Sequence, residues 1–385
     1  MHLIRFVSAV VLLATVHIPQ AMAQEEETPS RIEFSSLQGE LVAERVAWDL
    51  SEPIAIEFLP DGKALVAHRD KGIISKIDFS NGERTDIEGL SDMWIYESAG
   101  IHDLELHPEF AKNGWIYVVY SVGEEIHHTI AVDRFQLKDN KASKQERIFL
   151  ADAYSDEPYH QGGRIVFSEG YLFLAIGDRQ RRDKAQDRTN HAGSILRLND
   201  DGSVPKDNPF VDEKPERGDP PRPEIWSYGH RNPMGLYVHP ESGEMWSHEH
   251  GPRGGDEVNK IVKGGNYGWP TASYGFEYDG GPIYKGITWE EGIEQPVWVY
   301  VPSIAPSDLV IYDGAAIPAW KGSFLIGAMG HQHLNRIVFN SDGRVVAEER
   351  LFYVQLGRIK SIAVDEAGLI YLGSDSGTIW RVGPR

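Results

Sequence analysis

Residues 54–79, IAIEFLPDGKALVAHRDKGIISKIDF, decide the fold. An apolar run ends at a Pro-Asp-Gly turn, a second run follows, and after the polar turn RDKG comes a third. Short runs rich in β-branched residues, bounded by Asp, Gly and Pro, are the signature of strands joined by tight turns. The unit recurs at irregular spacing: LELHPEFAKNGWIYVVYS (104–121) with HTIAVDRFQL (128–137), and GRIVFSEGYLFLAIGD (163–178) with GSILRLN (193–199). It recurs again in GLYVHPESGEMWSHEHG (235–251) with DEVNKIV (256–262), DLVIYDGAAIPAWKGSFLIGAMG (308–330) with HLNRIVF (333–339), and SIAVDEAGLIYLGSDSGTIWRV (361–382). Six three-stranded units, with almost no helical periodicity, predict an all-β six-bladed β-propeller. The segment 31–48, RIEFSSLQGELVAERVAW, can complete the last blade. A single two-sheet sandwich has no need of so many repeats.

Outward from the repeats, the N-terminus reads as an export signal. Arg5 precedes an apolar run from Phe6 to Val16, and Ala21-Met22-Ala23 is a small-x-small cleavage site. Residues 1–23 are therefore expected to be a signal peptide cleaved after Ala23, placing the protein in the periplasm or outside the cell. Residues 24–30 read as a polar tether and 31–385 as one propeller domain. No later apolar stretch has the roughly 18 residues of a membrane span. There is no cysteine, so an exported chain must be held by its own core, with or without metal. The net charge of −20 argues against nucleic-acid and anionic-membrane partners.

Long connections point to where ligands bind. The stretches 179–192, 200–227 and 263–305 interrupt the blade pattern, and loops of such length in a compact domain are usually functional. One composition stands apart: EHGPRGGDEVNKIVKGGNYGWP (249–270) combines dense glycine with Glu257 and Tyr267. With the carbonyls of Gly251 and Pro252, these offer the hard oxygen ligands that calcium takes; alternatively the glycines merely turn the chain. His248 and His250 stand two apart, but no third transition-metal ligand follows at defined spacing.

Three further constellations carry chemistry. His160 precedes one strand of a unit and Asp178 ends the next. Side by side they form either a base with its orienting carboxylate, or an ordinary loop histidine and a turn cap. In YGHRNPMG (228–235), Pro233 forces extended backbone at Asn232, so Arg231 and Asn232 either grip an anionic or carbonyl-bearing ligand or form a rigid turn. Arg358 and Lys360 in LGRIK share a strand face, as a carboxylate site or as surface ion pairs.

In their order these elements resemble the soluble quinoprotein glucose/aldose sugar dehydrogenases. HQGGRIVF, LAIGD, SILRLNDDGSVPKDNPF, SYGHRNPMGL, the 249–270 stretch, IAPSDLVIY, FLIGAM and LGRIK extend the resemblance from about residue 50 to 382. It implies a six-bladed propeller using pyrroloquinoline quinone (PQQ) and Ca2+ to oxidise the anomeric carbon of aldoses to lactones. His160 would be the base, Asp178 its orienter, and Arg231 the group that stabilises charge on the quinone. Arg231, Asn232, Tyr278, Arg358 and Lys360 would bind the cofactor. Gly251 and Pro252 would bind its calcium, with Glu257 and Tyr267 at a second ion. A sugar substrate, an unidentified electron acceptor and a monomeric or homodimeric state complete the expectation.

Three positions depart from the family pattern. Ser98 stands where the family has glutamine, Gly330 and His331 where it has a lysine, and Lys360 where it has a second arginine. Lysine keeps the charge but loses the bidentate fork. The rival readings are a calcium-dependent lactonase and a catalytically silent propeller that binds a glycan or protein partner.

Overall fold

The computed structural model describes residues 29–214 and 218–385; the proposed signal peptide and most of the tether lie outside them. Six antiparallel sheets follow one another along the chain. Five have four strands each, following one another in chain order from the centre outward. They span Pro53–Phe58 to Glu83–Asp86, Ile101–Leu106 to Lys141–Leu150, Gly162–Ser168 to Ile225–Tyr228, Pro233–Val238 to Trp298–Tyr300, and Pro306–Ile311 to Val345–Leu351. The sixth closes the ring. Ile359–Val364, Ile370–Ser374 and Thr378–Pro384 are joined by Gly39–Ala47 and then Arg31–Ser36. Pairing of Leu41 with Pro384 through Ala47 with Ile379 ties the two ends of the chain together.

Five blades are thus four-stranded and the closing one five-stranded, rather than three-stranded. Outer strands escape a sequence reading where they are polar or short: Glu83–Asp86 reads ERTD and is largely exposed, and Trp298–Tyr300 has only three residues. The second strands are unmistakable because both faces are covered. ALVAH (64–68), FLIGA (324–328) and IYLGS (370–374) are buried at every position, giving continuous apolar runs instead of alternation.

The core is divided among the interfaces between blades. Ile54, Leu65 and Ala67 of the first blade meet Ile101, Leu104 and Val118 of the second. Similar clusters lie at every other junction around the ring, including that between the last blade and the first. A smaller cluster of Ala185, Trp269 and Ile283 sits beneath the long loops and joins 179–192 to 263–305. Within those loops lie a 3-10 helix, Arg182–Gln186, and the strand Trp298–Tyr300; the strand Ile225–Tyr228 begins inside 200–227.

At the axis one arginine contacts all five other innermost strands. Arg164 Nε donates to Met234 O, Nη1 to Ile54 O and Asp103 Oδ1, and Nη2 to Ser307 O and Lys360 O, at 2.9–3.2 Å. The opposing charge comes from Asp103 and Asp308, the latter 3.7 Å away.

Glu57 and Glu105, also from innermost strands, face each other nearby. Burial, with Asp103 and Asp308 adding to it, pushes Glu57 up to about 8, and burial and Glu57 push Glu105 well above the carboxylate range. Folded pKa values above the unfolded ones mean this stabilisation is complete below about pH 4.5 and disappears as pH rises towards 8. Glu57→Gln is therefore expected to flatten the alkaline decline. Its thermal midpoint at pH 9 should exceed the parent's by about 5 °C, with little difference at pH 4.5, measured by circular dichroism.

Candidate active site

Where the strands of the third blade end, the chain brings two side chains together. His160 precedes Gly162–Ser168 and Asp178 follows Tyr171–Ile176, and adjacent antiparallel strands place those ends side by side. His160 Nδ1 lies 2.6 Å from Asp178 Oδ1. Asp178 is itself held, its Oδ1 accepting from Gln180 N at 2.9 Å and its Oδ2 from Trp269 Nε1 at 2.7 Å. Trp269 belongs to the glycine-rich stretch, so one task of that loop is to fix the carboxylate behind the histidine. Gly177 makes the close approach possible, because a Cβ there would lie 2.2 Å from His160 O. His160 adopts a left-handed backbone with φ 52°, an uncommon conformation for a non-glycine residue.

This geometry sets the protonation state. Burial pushes the His160 imidazole below its ordinary pKa, opposed by Asp178, while Arg231 and Arg179 push it further down. A neutral ring donating Nδ1–H to Asp178 keeps the Nε2 lone pair for the cavity that His160 lines.

That cavity, about 560 Å³, is also lined by Asn232, Tyr278, Arg358 and Lys360. Tyr278 stands at its rim, 72% exposed. Ser98 lines it too, whereas Met329, an apolar neighbour of Gly330, is the lining residue from the segment that lacks the expected lysine. Sequence reading did not single out Arg69, Glu52, Gln161 or His102, all of which line the cavity. They sit in turns or strand starts whose polar letters carry no local pattern.

The remaining candidates except Pro252 line a second, tight cavity of about 10 Å³ behind His250, formed by Arg231, Glu249, Gly251, Glu257, Tyr267 and Trp269. Arg231 is buried there, its Nη1 donating to His250 O and Gly251 O at 3.0 Å, its Nε unpartnered. A calcium ion on Gly251 O would therefore have a guanidinium as neighbour. Pro252 packs against Gly275. The Tyr267 hydroxyl is not free to be a ligand: it accepts from Val262 N and donates to Lys260 O at 2.7 Å. Any oxygen this residue supplies must be its main-chain carbonyl, because the ring is packed 4.4 Å from His230.

Glu257 and Glu249 make a better-furnished cation site. Asn259 Nδ2 bridges them at 3.2 Å to each, while its Oδ1 is buried without a partner. Burial and Glu249 push Glu257 well above its ordinary range, as expected of a carboxylate lacking a counter-charge. Among the described residues no three His, Asp or Glu side chains are arranged to hold a metal, so an ion here needs carbonyl and amide oxygens as well. His248 is buried with both ring nitrogens unpartnered, and His250 Nε2 contacts Pro306 O at 2.6 Å.

The glucose/sorbosone dehydrogenase family model matches residues 50–381. The chain belongs to that family. An aldose sugar dehydrogenase of Escherichia coli (strain K12) is 36% identical over 345 residues, covering 87% of this chain and 91% of the relative. The crystal structure of the soluble aldose sugar dehydrogenase from Escherichia coli, in its apo form, superposes with a TM-score of 0.83 at 34% identity, over 90% of this chain and all of that one. A PQQ-bound aldose sugar dehydrogenase from Streptomyces coelicolor shares the fold, with a TM-score of 0.72 at 22% identity over 93% and 99% of the two chains. As a family member this dehydrogenase is an oxidoreductase acting on sugar CH–OH groups. Among its described residues no helix is long and apolar enough to cross a membrane.

Proposed function

We propose that this dehydrogenase is an exported quinoprotein that oxidises the anomeric carbon of aldoses to lactones, using PQQ and calcium. The observation that carries the reading is the His160–Asp178 pair on the wall of a cavity that also presents Asn232, Arg358 and Lys360. The donor set suits a flat polycarboxylate: basic side chains for carboxylates, an amide for a carbonyl, and a volume within the range of small-molecule sites. When bound, PQQ would supply the two-electron acceptor and calcium its Lewis acid.

The chain's own residues would do the rest. His160 Nε2 would take the proton of the anomeric hydroxyl as the C1–H bond gives up its hydride and the C1–O bond becomes a carbonyl. Asp178 would hold the ring in the tautomer that leaves Nε2 basic and would stabilise the imidazolium that forms. Arg231, behind His250, would contribute positive charge close to the reacting oxygens. Glu257, with Glu249, Asn259 and the Tyr267 carbonyl, would hold a structural calcium, and Gly251 and Pro252 would offer carbonyls to the cofactor's ion. The substrate would be a small sugar, and the reduced cofactor would pass electrons to a separate acceptor.

Reconstitution tests the reading. Mature protein stripped of metal should reduce an artificial electron-acceptor dye with aldoses only when both calcium and PQQ are added. Full activity without PQQ, or no PQQ binding by correctly folded protein, would overturn it.

A further inference from the structure

We infer that Glu52 restrains cofactor binding in this dehydrogenase: it occupies the two cations, Lys360 and Arg69, that would otherwise meet an anionic ligand. The inference rests on the proposed reading that the cavity takes a polycarboxylate. Glu52 Oε1 accepts from Lys360 Nζ at 2.7 Å. Arg69 clasps the same carboxylate with Nε on Oε2 at 2.9 Å and Nη2 on Oε1. All three residues line the 560 Å³ cavity, and their side chains are only 16%, 5% and 14% exposed for Glu52, Lys360 and Arg69.

The arrangement is built in, not a chance meeting of mobile side chains. Arg69 N donates to Glu52 O at 3.0 Å, and Glu52 N donates to Asp70 Oδ1 at 3.2 Å, so the backbone holds the carboxylate at the cavity wall. Burial and Arg69 depress the Lys360 ammonium, and Glu52 counters this.

Two effects oppose an incoming anion. Its carboxylate meets the Glu52 charge across a partly desolvated gap, where like charges repel far more than in water. In addition, the two cations are already satisfied in the free protein, so the ligand gains only the difference between its own contacts and those of Glu52. Removing the charge leaves Lys360 and Arg69 adjacent, buried and uncompensated, a strongly destabilised free state that a bound carboxylate relieves. The acid beside Arg358 is different in kind. Asp375 lies 3.7 Å from Arg358 Nε, and those side chains are 32% and 47% exposed, so solvent screens the pair.

The test is direct titration of PQQ, in the presence of calcium, into the purified protein and its Glu52→Gln and Asp375→Asn variants, followed by calorimetry. Glu52→Gln is expected to bind about tenfold tighter, and Asp375→Asn by a smaller factor. Thermal melts supply the second readout: ligand-free Glu52→Gln should unfold at lower temperature than the parent, and PQQ should raise its midpoint by more. A purely structural role for Glu52 would lower stability and affinity together, so equal or weaker binding by Glu52→Gln overturns the inference, as does a larger gain from Asp375→Asn. PQQ binding by the parent with no gain in the variant leaves the cofactor reading standing and removes this one. Absence of binding in both proteins removes both. Glu52→Asp, which keeps a charge on Arg69 but shortens the reach to Lys360, covers the case in which Glu52→Gln does not fold; an unchanged affinity there also overturns the inference.

Discussion

Arg164→Leu is expected to leave little folded protein at 37 °C. The substitution deletes the side chain that joins the third blade to the innermost strands of the other five. It strips four main-chain carbonyls of a buried donor and leaves Asp103 and Asp308 as buried carboxylates with no nearby cation. Breaking a buried ion pair by removing one partner costs about 3–5 kcal/mol, and each orphaned carbonyl adds roughly 1–3 kcal/mol. Even with partial relaxation the loss is on the order of 5 kcal/mol or more, a large share of the roughly 5–15 kcal/mol that folds a typical domain. The thermal midpoint should fall by about 10 °C or more, and soluble yield with it. Arg164→Lys keeps the charge but not the fork and is expected to fall between the two. Parent-like melting of Arg164→Leu would show that the blade interfaces alone hold the ring.

The second large effect concerns turnover. His160→Ala is expected to lower kcat by about 10³-fold in the reconstituted enzyme, the range for loss of a positioned general base, while PQQ binding persists. Asp178→Asn should cost about 10²–10⁴-fold as well, because an amide can present a hydrogen to Nδ1 and favour the wrong tautomer. The pH dependence separates the two roles. A base whose folded pKa is pushed below the ordinary imidazole value stays neutral to lower pH, so the acid limb of kcat/KM should have its midpoint below about pH 6.5. Asp178 opposes that depression, so Asp178→Asn should move the acid limb to still lower pH even as the plateau falls. Unchanged turnover in His160→Ala would remove this residue from the chemistry.

The opening repeat shows how far local pattern reaches. Pro53–Phe58, Ala64–His68 and Ile73–Asp78 announce themselves as strands because covered faces demand apolar residues and the turns between them demand Asp, Gly or Pro. The polar outer strands announce nothing. The strand Glu83–Asp86 is exposed at three of its four positions and has little packing to record in its letters, so four-stranded blades look three-stranded. At the site, His160 and Asp178 were legible as a pair because consecutive strands of one hairpin necessarily bring their neighbouring ends together. Which oxygen of Tyr267 is free was not legible, for the opposite reason. A phenol in a glycine-rich loop looks available, and only packing shows it turned inward to the backbone of residues 260 and 262.

By itself, then, the sequence determined the inner strands of the blades, the six-fold repetition and the chain order of the chemical groups, all of which depend on short-range periodicity and turn chemistry. Closure of the ring decided everything that joins distant segments. It set Arg164 against residues 54, 103, 234, 307 and 360, brought Trp269 behind Asp178, and placed Glu52 between Arg69 and Lys360. It also separated Arg231 and Glu257 from the cavity that holds His160. Such contacts arise where innermost strands converge on one axis, and residues some 300 positions apart meet there without leaving any periodic mark on the chain.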